Sequence, residues 1–399
     1  MITTEQKRKI LENITERLEL PESAYQKAKK RYDDLGEWFS RDESQCKNND
    51  PHIFPQGSFR IGTAIRPLDD KEEYDLDLVC KLREGINKSM HTQAGLKNLV
   101  GDEIQAYREA RGIKSPIEEK HRCWRLEYQD DLSFHMDIVP CIPEDEIRRQ
   151  LILESMQKSG ENELISGLAS KLTLSITDDR HHGFKRICRD WDISNPEGYA
   201  RWFEYRMIQG TIVDLKRAQI DDVPVFRIKT PLQRSVQLLK RHRDTMFKGY
   251  DDIKPISVII TTLAARAYTG EPDVGSALRM ILSQMGNLVN SGSPRIPNPV
   301  DPDEDFADKW STQEGKRLRL EQNFWNWLKQ AQVDFDLIVS SDDMDFVTDQ
   351  AKQKFSVRVN SAELMKRLGL AACYVTVSTS KAHSINRNSS PKPWTRQFD

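Results

Sequence analysis

Apolar residues recur at helical spacing through the first forty residues: Ile10, Ile14 and Leu18, then, beyond Pro21, Tyr25, Ala28, Tyr32, Leu35 and Phe39. This spacing predicts one amphipathic stripe on each of two helices, or on one long kinked helix. A loop rich in Asp, Asn and Pro follows at 42–51. The period then shortens: residues 73–82 read as a strand, and 92–110 return to helix. Residues 121–128 (HRCWRLEY) and 132–139 (LSFHMDIV) read as two strands of a hairpin turning at Gln129-Asp130-Asp131. Residues 144–170 are helical in period again.

Two helix starts carry their own chemistry. In WDISNPEGYARWFEYR, Ser194 and Glu197 have the spacing of a capping box, and Pro196 suits an early helical position. Thr230-Pro-Leu-Gln233 repeats the box and opens a helix whose expected buried stripe is Leu232, Val236, Leu239 and Met246. From there to about 370 the chain is nearly all helical in pattern, with breaks at Lys254-Pro255, at the Ser/Gly/Pro segment 291–302 and near 340. Residues 378–399 are polar and aperiodic and read as a flexible tail. No internal repeat is present. The pattern predicts an α/β half followed by a helical half.

Composition narrows the partners. The 399 residues are 37% hydrophobic and 31% charged, with 60 basic and 62 acidic residues and a net charge of -2. That balance supports one large or two smaller domains with a sizeable core and argues against a protein that coats long nucleic acid. A local basic site for a small anion remains allowed. The six cysteines (Cys46, Cys80, Cys123, Cys141, Cys188 and Cys373) lack metal-ligand or redox spacing and read as reduced thiols. No apolar run approaches the ~18 residues of a membrane helix, and MITTEQKRKI lacks the apolar core of a signal peptide. The expectation is a cytoplasmic protein.

The candidate chemistry lies in QGSFRIGTAIRPLDDKEEYDLDLV, residues 56–79. Alternate strand residues share a face, so Asp75 and Asp77 point one way while Tyr74, Leu76 and Leu78 point the other. Two carboxylates roughly 7 Å apart repel unless a cation lies between them. In LSFHMDIV the same alternation separates Phe134, Met136 and Ile138 from His135 and Asp137. If the two strands share a sheet, Asp137 can join the first pair, and three carboxylates make the oxygen-rich set that hard divalent ions prefer. A lone Asp-x-Asp is ordinary surface charge. Here core residues flank it, a Gly57-Ser58 turn precedes it, and a third strand-borne aspartate follows. Glycine lets backbone approach an anion, and a small hydroxyl residue offers N–H and Oγ to phosphate oxygens.

Gln56-Gly57-Ser58, Asp75-x-Asp77 on a strand and Asp137 on a later strand together resemble the polymerase-β-like nucleotidyltransferases. More closely, they resemble the cGAS/DncV-like nucleotidyltransferases (CD-NTases) of bacterial anti-phage (CBASS) signalling. The similarity extends into the helical half, through residues 190–206 and the helices at 231–268. It implies a bilobal α+β protein: a polymerase-β-like core with a mixed β-sheet, a long N-terminal helix and a C-terminal helical domain. The expected division is 1–225 for the core with its N-terminal helices, 226–377 for the helical domain and 378–399 for the tail.

The resemblance further implies an enzyme that joins nucleoside triphosphates, ATP and/or GTP, into a cyclic di- or trinucleotide second messenger with release of pyrophosphate. Two magnesium ions, with manganese as an alternative, would be held by Asp75, Asp77 and Asp137, the expected catalytic residues. Gln56, Gly57 and Ser58 would line the phosphate pocket. Lys240 in SVQLLKRHRD and Ser257 in DDIKPISVII match, by position and context, a lysine and a serine that contact the donor triphosphate. The segment Arg227–Arg243 holds six Lys/Arg residues and no acid, which suits a ligand carrying about four negative charges. By spacing alone, Lys240 reads as a solvated surface lysine, and it is the resemblance that assigns it to the triphosphate.

Two departures from the animal enzyme bear on function. Its zinc-binding His/Cys cluster for DNA sensing has no counterpart here, so DNA-triggered activation is not implied. Val258 stands where that enzyme has a base-stacking aromatic. The family context implies a downstream effector that reads the product, and a monomer is expected. Other readings are a linear nucleotidyltransferase acting on a small acceptor or RNA end, or a non-catalytic nucleotide-binding module; the intact aspartate trio speaks against the latter.

Overall fold

The computed structural model describes residues 3–68, 74–128, 134–208, 229–289 and 294–357. The flexible-tail expectation for 378–399, the hairpin turn at Gln129-Asp130-Asp131, and Cys373 lie outside the described residues. The chain forms two compact units. One comprises Glu19–Gln233 together with Ile296–Phe306. The other comprises the residues up to Leu18, Arg234–Arg295 and the residues from Ala307 on.

The first unit is built on a mixed sheet. Its strands are β1 (Pro51–Pro55), β2 (Tyr74–Leu82), β3 (Glu118–Glu119), β4 (Trp124–Tyr128), β5 (Phe134–Pro143), β6 (Leu174–Ile176) and β7 (Asp192–Ser194). The order is β1-β2-β5-β4-β3, and β6 pairs with the last residues of β5 and with β7. Only β2 and β5 run parallel among these pairs. The alternation read from the sequence holds: Leu76, Leu78, Leu126, Phe134, Met136 and Ile138 are buried on one face. The helices Glu22–Ser40 and Gln93–Ala110 cover that face with Ala28, Tyr32, Leu35 and Phe39, and with Leu96, Val100, Ile104 and Tyr107. Gly101 lets the second helix sit on the sheet. A Cβ there would come within 2.5 Å of the Trp124 ring, whose Nε1–H donates to the Lys97 carbonyl at 2.9 Å.

Farther along the strands the opposite face also closes, over Phe54, Val79, Cys141, Leu174 and Ile176. The acidic residues of β2 and β5 thus lie toward the beginning of the two strands, with Lys81 farther along β2. The helix Pro196–Met207 starts with Pro196 at its first position, but its cap is Asn195, whose side chain accepts from the Gly198 N–H at 3.0 Å. Ser194 belongs to β7 and Glu197 is buried in an ion-pair network, so the expected Ser194/Glu197 capping box is not formed.

The second unit is helical: Thr4–Leu18, most of Pro231–Met246, Ser257–Ala267, Val274–Met285, Gln313–Arg317, Leu320–Ser340 and Met344–Phe355. The Thr230/Gln233 box forms reciprocally. The Thr230 N–H donates to Gln233 Oε1 at 2.9 Å, and the Gln233 N–H donates to Thr230 Oγ1 at 3.3 Å. Leu232, Val236 and Leu239 are buried as expected, whereas Met246 is half-buried and Phe247 takes the buried position. The segment expected only as a break, 291–302, overlaps a two-stranded pairing of Pro297–Asn298 with Asp301–Asp305, which belongs to the sheet unit. Among the described residues no helix is long and apolar enough to cross a membrane.

Candidate active site

The parallel register of β2 and β5 sets Asp75 beside His135 and Asp77 beside Asp137. Residues in register on parallel neighbours share a face, and adjacent strands lie about 4.8 Å apart. The three aspartates therefore stand on one face at the start of the two strands. The antiparallel neighbour β4 extends both rows, with Arg125 opposite Asp137 and Glu127 opposite His135. One row reads Asp77, Asp137, Arg125; the next reads Asp75, His135, Glu127.

Arg125 grips Asp137 with two prongs, Nε to Oδ1 and Nη2 to Oδ2, both at 2.7 Å. This contact raises the guanidinium's pKa further above its ordinary value, and the charge of Asp75 adds to it. In the second row, His135 Nδ1 lies 3.6 Å from Glu127 Oε1. Sequence reasoning named neither Arg125 nor Glu127. The signal was present in the alternation of WRLEY, but it needed the cross-strand register to be read.

The Gly57-Ser58 turn lies against this face. Gly57 has φ +62°, in the left-handed region, and a Cβ on it would come 2.6 Å from Asp77 Oδ2. Only glycine allows that approach without strain. The Gln56 backbone N–H donates to the Asp77 carbonyl at 2.8 Å, tying the turn to β2. The short helix Gly57–Arg60 follows, and a first helical turn leaves its amides unspent by helix bonding.

This turn is held from two further directions. Arg60 bonds Glu197 through Nε at 2.8 Å and Nη2 at 2.7 Å, and Glu204 through Nη1 at 2.7 Å. Arg201 contacts the same two acids at 2.9 and 3.1 Å. Burial alone would lower the pKa of Arg60, but Glu197 and then Glu204 more than offset it, and the group stays cationic. Gln233 Nε2 donates to the Ile61 carbonyl at 3.0 Å, and Lys229 Nζ to the Gly62 carbonyl at 2.8 Å.

Lys240 and Ser257 lie in the helical unit. Lys240 is only 6% exposed, so it is not a solvated surface lysine. One turn farther on, Arg243 donates through Nη1 to Ser257 Oγ at 2.9 Å and to the Pro255 carbonyl at 2.8 Å. Ser257 is the first residue of its helix, with Ile256 at the cap position. Arg243 is the partner of Ser257 that sequence reasoning missed.

The donors at Asp75, Asp77 and Asp137 are all carboxylate oxygens, the set suited to a hard divalent ion, and Arg125 shows that the row attracts a cation. Among the described residues, however, no three carboxylate, histidine or cysteine side chains converge on one metal-sized point. Both Asp137 oxygens instead accept from Arg125 of β4. The chemistry fits the ion, with Asp137 engaged elsewhere.

Residues 51–140, which carry Gln56 through Asp137, match the family described as cyclic GMP-AMP synthase DncV-like, nucleotidyltransferase domain. A c-di-GMP synthase of Roseivirga ehrenbergii is 30% identical over 308 residues, covering 75% of this chain and 72% of the relative. The fold matches the Bradyrhizobium diazoefficiens CD-NTase CdnG, solved with GTP, at a TM-score of 0.63 and 19% identity, over 90% of this chain and 97% of that one. It also matches Vibrio cholerae DncV, solved with the linear intermediate pppA(3′,5′)pG, at a TM-score of 0.52 and 15% identity, over 90% and 88% of the two chains. With its α+β core, its register-matched aspartates and this relationship, the chain belongs to the DncV-like nucleotidyltransferases, the CD-NTases.

Proposed function

We propose that this chain joins nucleoside triphosphates into a cyclic di- or trinucleotide with release of pyrophosphate, using divalent metal, for anti-phage signalling through an effector that binds the product. The observation that carries the reading is the placement of Asp77 directly across from Asp137 with Gly57 backbone against its carboxylate. It juxtaposes the acidic row with a turn suited to phosphate.

Divalent ions bound there supply charge neutralisation for the triphosphate and make an attacking ribose hydroxyl easier to deprotonate. Asp75 and Asp77 would hold them on the strand, with Asp137 completing the set. The Gly57-Ser58 turn would orient triphosphate oxygens through backbone N–H and the serine hydroxyl. Within the helical unit, Lys240 would offer a cation and Ser257 a hydroxyl to a triphosphate, and Arg243 donates to Ser257 Oγ. Placement and charge neutralisation dominate this class of transfer.

The test is pairwise incubation of ATP, GTP, CTP and UTP with the protein and magnesium or manganese. Products are then identified by mass and challenged with phosphatase and exonuclease. A product resistant to both supports the cyclase. A phosphatase-sensitive product identifies a linear transferase, and absence of pyrophosphate release from every pair refutes the enzymatic reading.

A further inference from the structure

The Arg125–Asp137 contact is placed where a purely structural ion pair is not needed. The register of β4 on β5 is already set on the apolar face, where Leu126 opposes Met136 and Tyr128 opposes Phe134, all packed in the core. On the polar face, the guanidinium occupies both oxygens of one aspartate of the trio, while Asp77 stands in register on the other side. Arginine stays charged at any working pH, so protonation cannot release it. A competing cation can. The two side chains are 26% and 23% exposed, which leaves the pair reachable by water and modest in strength.

We propose that Arg125 is a positioning residue that competes with divalent metal for Asp137, holding the carboxylate toward β4 until an ion displaces the guanidinium. The full three-aspartate set then assembles only when metal is present in excess or arrives already bound to triphosphate. The proposal rests on the reading of the aspartates as the metal site.

The experiment is a titration of the full chain with Mn2+ alone, followed by the loss of the free-ion paramagnetic resonance signal. Arg125→Gln should bind Mn2+ about fivefold or more tightly than the unaltered chain, the order set by loss of a partly exposed two-pronged pair. Arg122→Gln removes the same charge from a residue paired with Asp178 instead, and should leave the affinity unchanged. Adding Asp137→Asn to Arg125→Gln should erase the gain. Arg125→Lys keeps the charge but not the two-pronged grip, and should shift affinity in the same direction by less; it serves if the glutamine variant folds poorly. Equal affinity in the unaltered chain and Arg125→Gln overturns the competition, while a site lost in Asp75→Asn/Asp77→Asn still supports the metal reading. Absence of saturable Mn2+ binding in all of them overturns both.

Discussion

The carboxylate of Asp77 fills the space that a side chain on Gly57 would need, with Oδ2 standing 2.6 Å from the position of a Cβ. The turn and the acidic row are therefore one construction. Gly57→Ala meets a steric clash and a left-handed backbone that costs a residue with a Cβ about 1–2 kcal/mol. We expect it to lower kcat/KM for pyrophosphate release by at least about tenfold. Circular dichroism should show the secondary structure retained. Unchanged kinetics would remove the turn from the site.

Asp75→Asn with Asp77→Asn should reduce pyrophosphate release more than about a thousandfold, the order expected when several kcal/mol of charge stabilisation is lost. Asp75 is exposed and Asp77 half-buried, and removing two like charges relieves repulsion. Thermal unfolding should therefore stay at or above the unaltered midpoint. Retained synthesis measured with labelled triphosphates would exclude these residues from the chemistry.

Lys240→Ala should raise KM for triphosphate by about tenfold, the loss of one charge-assisted contact, with Mn2+ affinity in the absence of nucleotide unaltered. An unchanged KM would return Lys240 to a structural role within its helix.

Among the described residues, Arg60→Met leaves Glu197 and Glu204 with the Arg201 ion pairs in a buried setting. We expect about 3–5 kcal/mol of destabilisation in urea unfolding, with part recovered when Glu197→Gln is added. A loss below about 1 kcal/mol would show that the network contributes little.

His242 provides a pH dependence. Complete burial lowers its pKa from the ordinary 6.5 and keeps it neutral, with Nε2 3.0 Å from Asp334, whose charge is also answered by Lys354. A folded-state pKa below the unfolded value means that the unfolded chain binds the proton more readily. The stability is therefore fully present above about pH 6.5 and declines as pH falls below it. Unfolding free energies taken from about pH 7 down to about pH 5 should fall less steeply for His242→Gln. Parallel slopes would assign the decline to other groups.

Much of this was legible in the chain because period and side chemistry agreed. LDL and HMDIV each alternate core residues with aspartates, so the shared face of Asp75, Asp77 and Asp137 needed only adjacency of their strands. Thr230 and Gln233 form the box their spacing announced. The misreadings have one origin, competition between partners that are far apart in the chain. Glu197 is recruited by Arg60, and Asn195 then serves as the cap in place of Ser194. Arg125 meets Asp137 through a hairpin register that local pattern does not set. The short strands β6 and β7 have too few residues to show a period, β1 is bounded by Pro51 and Pro55, and the pairing within 296–306 carries a Pro- and Asp-rich sequence that resembles a loop.

The polypeptide passes from one unit to the other after Leu18, Gln233, Arg295 and Phe306. Neither unit is then a cassette that a single cut could excise. A fragment ending near Gln233 would carry Asp75, Asp77 and Asp137 yet lack the Ile296–Phe306 piece that belongs to the same unit, and one starting there would lack its opening helix. Grafting this nucleotidyltransferase core onto another scaffold calls for rewired chain ends, and interchange of parts between relatives is constrained to whole proteins or to single elements.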